Sequence, residues 1–157
     1  MRASKSARDS SIAVKPSRAW NVCAWSSVKP GMSTQTITAD TFESTLDAGG
    51  ITLIDWWASW CGPCRQFAPV YDAASEKHPD ITFGKIDTED QQQLSAAVGI
   101  TSIPTIMAFR DGVLVFQQAG ALPAPALDEV IQAVRDLDMD EVHKKVAEQQ
   151  AQQQQQQ

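Results

Sequence analysis

The apolar run Ile51-Thr52-Leu53-Ile54-Asp55-Trp56-Trp57 is followed, after Ala58-Ser59-Trp60 alone, by the tetrad Cys61-Gly62-Pro63-Cys64 and then by a segment with helical apolar spacing. A strand that apolar has no wet face and belongs in the middle of a sheet covered on both sides. The thiols therefore sit at a strand-to-helix turn, at the sheet edge where ligand sites of α/β folds lie. A disulfide needs its Cα atoms within about 4.4–6.8 Å, and two intervening residues wrapped into a first helical turn bring them into that range. Cys-x-x-Cys is also half of a zinc site, but tetrahedral zinc takes about four ligands. Beyond the pair the chain offers only Cys23, His78 and His143, in distant segments. In this context the pair reads as a redox site, with no metal.

A chain of 157 residues has room for one ordinary domain and its tails. No stretch approaches the roughly 18 uninterrupted apolar residues of a membrane span, and the N-terminus lacks the apolar centre of a secretory signal. Three cysteines, two of them in one short motif, do not describe a secreted disulfide scaffold, so a reducing compartment, the cytoplasm, is expected. The net charge of −6 is uneven, because Arg2, Lys5, Arg8, Lys15, Arg18 and Lys29 crowd the first 31 residues against the single Asp9. The body is thus more acidic than the whole, which argues against nucleic-acid binding and favours a soluble monomer.

Residues 1–31 are rich in Ser, Ala, Lys and Arg, show no apolar period and carry Pro16, Pro30 and Gly31 as breakers. They read as a disordered basic leader: either an organelle transit peptide, which would move the protein to an organelle, or sequence upstream of a true start at Met32. The domain is expected over residues 32–138. Residues 139–157 read as a polar, Gln-rich tail, its first part able to extend the last helix through Val142 and Val146.

Between the tails, strand and helix signals alternate. Thr34–Ile37 reads as a short strand. Asp40–Asp47 reads as a helix, with Asp40 and Glu43 in capping-box spacing and Gly49-Gly50 as its stop. Strand Ile51–Trp57, helix Cys61–Lys77, strand Ile81–Asp87, helix Gln91–Val98 and strand Thr105–Arg110 follow. Asp111-Gly112 turns the chain into strand Val113–Gln118 as an antiparallel hairpin, and a closing helix, about Ala126–Leu137, carries Leu127, Val130, Ile131, Val134 and Leu137 on one face. The order βαβαβαββα implies an α/β fold, a central mixed sheet flanked by helices on both faces, with the second and third strands parallel neighbours.

These residues resemble the thioredoxin family. The resemblance is carried by Leu53 to Arg65, Pro69, Lys85-Ile86-Asp87, Gly99-Ile100, Ile103-Pro104-Thr105, Gly112 and Ala119-Gly120-Ala121, and it covers about Met32 to Leu137. Trp56 stands where the family usually has phenylalanine and Arg65 where it has lysine; the second change keeps a positive charge beside the pair. The resemblance implies the thioredoxin fold and a protein-disulfide reductase. Cys61 would attack, as a thiolate favoured by the helix N-terminus, and Cys64 would resolve the mixed disulfide. Asp55, matching the family's buried aspartate, would take the proton of Cys64, and Lys85 would tune Asp55. Pro104, in a cis peptide facing the cysteines, would let an extended substrate pair with the neighbouring backbone. Trp60, Gly62, Pro63, Ile103, Pro104, Gly120 and Ala121 would form the substrate platform. No cofactor would be bound. Electrons would come from NADPH through thioredoxin reductase, which with disulfide-bearing proteins makes up the implied partners.

Two other readings use the same residues: a disulfide oxidase or isomerase, and a binding module on the same fold in which the cysteines are dispensable. Pro69 is expected to kink its helix without ending it. Trp56 and Trp57 are expected in the core, and Cys23, His78 and His143 fit no constellation.

Overall fold

The computed structural model of the chain describes residues 33–154. The leader expected over residues 1–31, with Cys23, lies outside them, as does the end of the Gln-rich tail. The elements are β1 (Thr34–Thr36), α1 (Ala39–Asp47), β2 (Ile51–Trp57), α2 (Gly62–Lys77), β3 (Thr82–Asp87), α3 (Gln92–Val98), β4 (Thr105–Arg110), β5 (Val113–Ala119), α4 (Ala124–Asp136) and α5 (Met139–Gln154). One five-stranded sheet has the order β1-β3-β2-β4-β5. β1 and β2 run parallel to β3, while β4 is antiparallel to both β2 and β5.

Period-two alternation splits β2 between two cores. Leu53, Phe83, Ile106 and Ala108 pack with Phe67, Tyr71 and Ala74 of α2 and Leu127, Ile131 and Val134 of α4. On the opposite face Ile54, Trp56, Ile86, Met107 and Phe109 pack with Phe42 and Leu46 of α1 and Leu94 and Val98 of α3. Covered on both faces, β2 buries every residue from Thr52 to Trp56, as its composition requires. Asp55, two residues after Leu53, therefore points to the α2 side.

Local signals set the joints. Asp111 and Gly112 both have positive φ, 51° and 79°, the left-handed pair a two-residue hairpin turn needs. Gly84 lies where β3 passes β1, and a Cβ there would collide with the side chain of Ile37. Helix α1 is capped two residues before the expected box: Thr38 is the N-cap, and its N–H donates to Thr41 Oγ1 over 3.0 Å. The Asp40–Glu43 spacing falls inside the helix instead. Helix α4 starts at Ala124 rather than near Ala126, because Pro125 in the first turn gives up an N–H that has no partner there anyway.

The C-terminal segment departs most from expectation. After α4 ends at Asp136 the chain turns, and Asp138 Oδ1 accepts the N–H of Asp140 at 3.0 Å to begin a separate helix. Helix α5 then runs to Gln154, through most of the expected solvated tail. Gln, Ala, Glu and Lys are good helix formers, and Val142 and Val146 add apolar anchors beside Leu114, Val115 and Leu137. Arg110 ties this joint to the sheet, the two N–H groups of its Nη1 shared among the carbonyls of Val134, Arg135 and Leu137 at 2.8–2.9 Å. None of the described helices is long and apolar enough to cross a membrane.

Candidate active site

Parallel β2 and antiparallel β4 bring three chain segments to one end of the sheet. β2 leaves that end at Trp57 toward Cys61. Thr105, paired with Trp56, enters β4 there, and Ala119, paired with Thr105, leaves β5 there. The sequence-predicted residues Trp60, Cys61, Gly62, Pro63, Cys64, Ile103, Pro104, Gly120 and Ala121 thus share one edge. The Ile103–Pro104 peptide is cis, and the Pro104 carbonyl accepts the Gly120 N–H at 2.8 Å.

Cys61 and Cys64 are joined by a disulfide, with Cα atoms 5.3 Å apart. Cys61 is the N-cap of α2, and its sulfur accepts the backbone N–H of Cys64 at 3.2 Å. Gly62 and Pro63 fill the positions between, where proline's missing N–H leaves no intrahelical bond unmade. Cys61 is 4% exposed and Cys64 2%, so burial hardly separates them in this oxidised form. Their positions do, since the Cys61 sulfur alone lies before the first turn, in reach of its free N–H groups.

Beneath α2, Asp55 is 1% exposed, and among the described residues neither carboxyl oxygen has a hydrogen-bond partner. Lys85 on β3 and Ile106 on β4 flank it in register. Burial lifts its pKa from 3.8 to about 7, with Lys85 pulling the value down and Asp72 pushing it up. A carboxyl poised there can hold or release a proton near neutral pH. Lys85 makes no ion pair with it: the ammonium lies 3.9 Å from Asp72 and 5.8 Å from the centre of the Trp57 ring.

Trp60 is 65% exposed, and its indole N–H donates to Glu89 at 3.2 Å. It borders a cleft of about 550 Å³ with Thr88, Ser95, Ile100 and Ile103. Pro63, Gly120 and Ala121 are exposed, Gly62 and Ile103 half-buried, and Pro104 buried. His78 caps the far end of α2 beside Asp128, and His143 lies on α5, both remote from the cysteines in the fold. Among the described residues no cluster of His, Cys, Asp and Glu is placed to hold a metal ion.

Three contributors are not evident from the sequence pattern. Glu89 and Asp72 carry no local signal, since each partner lies far along the chain. Tyr71 is legible in principle: two turns after Cys64 it lies on the same face of α2, and its one hydroxyl proton is shared between the carbonyls of Leu53 and Gly84 at 3.0 and 2.9 Å.

Comparison with known proteins agrees with this geometry. The family model described as Thioredoxin matches residues 33–133. The protein named "Putative thioredoxin 2" from Streptomyces coelicolor is 57% identical over 120 residues, 76% of this chain and 90% of that protein. Thioredoxin of Rhodospirillum rubrum is 39% identical over 92 residues, 58% of this chain and 88% of its own. Among solved structures, a mutant thioredoxin from Halobacterium salinarum superposes with a TM-score of 0.62 at 29% identity, over 67% of this chain and 93% of that one.

Proposed function

The chain belongs to the thioredoxin family and is a thiol–disulfide oxidoreductase, a disulfide reductase that needs no bound cofactor, and from that premise we propose how its residues divide the reaction. The Cys61 thiolate attacks one sulfur of a substrate disulfide, forms a mixed disulfide and releases the first substrate thiolate. Cys64 then loses its proton to Asp55, through water, and attacks the Cys61 sulfur. The second substrate thiolate leaves, the Cys61–Cys64 disulfide closes, and the substrate has gained two electrons, with protons from Asp55 and solvent.

The observation that carries this reading is the Cys61–Cys64 disulfide at the head of α2, on the sheet face that buries Asp55, unpartnered among the described residues. The Cys64 N–H already aimed at the Cys61 sulfur supports Cys61 as the attacking group. The carboxyl near pH 7 supports Asp55 as proton acceptor, with Lys85 as its tuning charge. Trp60, Gly62, Pro63, Ile103, Pro104, Gly120 and Ala121 form the platform on which an extended segment of the substrate lies.

Electrons reach the pair from NADPH through thioredoxin reductase, and disulfide-bearing proteins are the other partners. The protein works as a monomer in a reducing compartment, the cytoplasm, without nucleic acid, for which its acidic body is unsuited.

Equilibration against glutathione or dithiothreitol, read by mass shift after alkylation, tests the direction of flow. A reductase is expected near about −270 mV, the value established for thioredoxin itself and not one inferred from this site. A potential of about −180 to −120 mV would assign isomerase or oxidase duty instead. The absence of any two-electron transition would leave only a binding module.

A further inference from the structure

The Lys85 ammonium stands beside a buried carboxyl in register with it, yet reaches past that carboxyl to a more exposed one. Asp55 and Lys85 are paired residues on neighbouring strands, both on the α2 side of the sheet. The attraction of a buried carboxylate for an adjacent ammonium grows as the surroundings lose water, so direct pairing would be the simple expectation. Instead the Lys85 side chain, 21% exposed, runs along Trp57 and ends 3.9 Å from Asp72 Oδ1, whose side chain is 54% exposed. Among the described residues both oxygens of Asp55 stay without a partner.

Position in the fold explains how Asp72 holds that place. The Tyr71 hydroxyl shares its one proton between the carbonyls of Leu53 on β2 and Gly84 on β3, which sets the height of α2 over these strands. Asp72, the next residue, is thereby turned to the outer border of the site above β3. The ammonium is led out between the Trp57 ring and this second carboxylate.

We propose that Asp72 is a positioning residue for the proton-accepting step: it draws the Lys85 ammonium to the mouth of the site and so leaves the Asp55 carboxyl free to take the proton of Cys64. This rests on the reductase mechanism above and adds a residue to it. The titratable groups that act on Asp55 are Lys85 from β3 and Tyr71 and Asp72 from α2. β4 pairs Ile106 with it, and on the same sheet face α4 contributes Leu127 and Ile131 to the apolar core. With Asp72 neutralised, two changes act in one direction. A negative neighbour disappears, and Lys85 is released toward Asp55; both favour the ionised carboxylate.

The test is a double-mutant cycle on the full chain, reduced, with the Asp55 carboxyl carbon titrated by NMR. In Asp72→Asn the Asp55 midpoint is expected to fall by about 0.5–1 in pH, while Asp72→Glu keeps it near the parent value. In Lys85→Met the midpoint rises, and adding Asp72→Asn to that background moves it distinctly less than in the parent, because the two residues act as a unit. An unchanged midpoint in Asp72→Asn overturns the proposal, as does an equal shift with and without Lys85, which would reduce Asp72 to a distant charge. Measuring the Cys61/Cys64 potential on the same samples separates the two ideas: a reducing potential with no cycle coupling rejects the Asp72 role and leaves the reductase reading standing.

Discussion

The backbone N–H of Cys64 points at the sulfur of Cys61 across 3.2 Å, so the resolving residue contributes, through its amide, to the electrostatics of the attacking one. On reduction, that donor and the positive end of the α2 dipole favour negative charge on Cys61. One equivalent of iodoacetamide at neutral pH is therefore expected to alkylate Cys61 well before Cys64, as read by peptide mass mapping. Faster labelling of Cys64 would reverse the assigned roles.

Pro63 sits in the first turn of α2 and offers the sulfur pair no hydrogen-bond donor. In Pro63→His the imidazole can add a hydrogen bond to the thiolate. A bond to a charged group is worth about 1.5–3 kcal/mol, and about 1.4 kcal/mol corresponds to 30 mV for this two-electron couple. The potential is expected to rise by about 30–60 mV toward the oxidising side. An unmoved potential would mean that the thiolate gains nothing from that position.

What the sequence discloses here depends on how far apart the partners lie. β2 and the helix start at Cys61 are legible because apolar pattern and breaker residues are local, and Asp55 stands out because a carboxylate interrupts an apolar strand. Cap choice was less legible, since Thr38 and Asp40 both lie near the start of α1 and only the Thr38–Thr41 bond decides between them. Helix α5 is hard to see in the sequence because a glutamine-rich segment has no apolar period, although its helix propensity is good. Lys85 leaning to Asp72 and Trp60 to Glu89 are long-range pairings that no spacing rule reveals.

Tyr71 is fully buried, and its hydroxyl links α2 to both β2 and β3. Tyr71→Phe keeps the ring packing with Phe67 and Phe83 but deletes both bonds. A loss of about 1–3 kcal/mol is expected in urea unfolding. Because the hydroxyl also sets the height of α2 over the strands that carry Asp55 and Lys85, the pH dependence of disulfide reduction is expected to move in Tyr71→Phe while the potential stays. A variant as stable as the parent would show that the two carbonyls lose nothing without it.

Asp55 gives the sharpest pH prediction. Its pKa is about 7 in the folded protein against an ordinary 3.8, so between these values the folded state binds more protons than the unfolded one. Stability must then fall as pH rises through that window, and the full penalty applies above pH 7. At about 1.36 kcal/mol per pH unit the span corresponds to about 4 kcal/mol as an upper bound. Asp55→Asn removes the titration, so the variant is expected to gain on the parent by up to that amount between pH 4 and pH 8, measured by urea unfolding of the oxidised forms. The same variant, reduced, is expected to turn over protein disulfides about tenfold to a hundredfold more slowly near pH 7, because the proton acceptor for Cys64 is gone. A stability difference that stays constant from pH 4 to pH 8 would mean that the carboxyl ionises normally. Asp55 would then be a weak base, poorly matched to the Cys64 thiol at neutral pH, and the proton-acceptor role would lose its support.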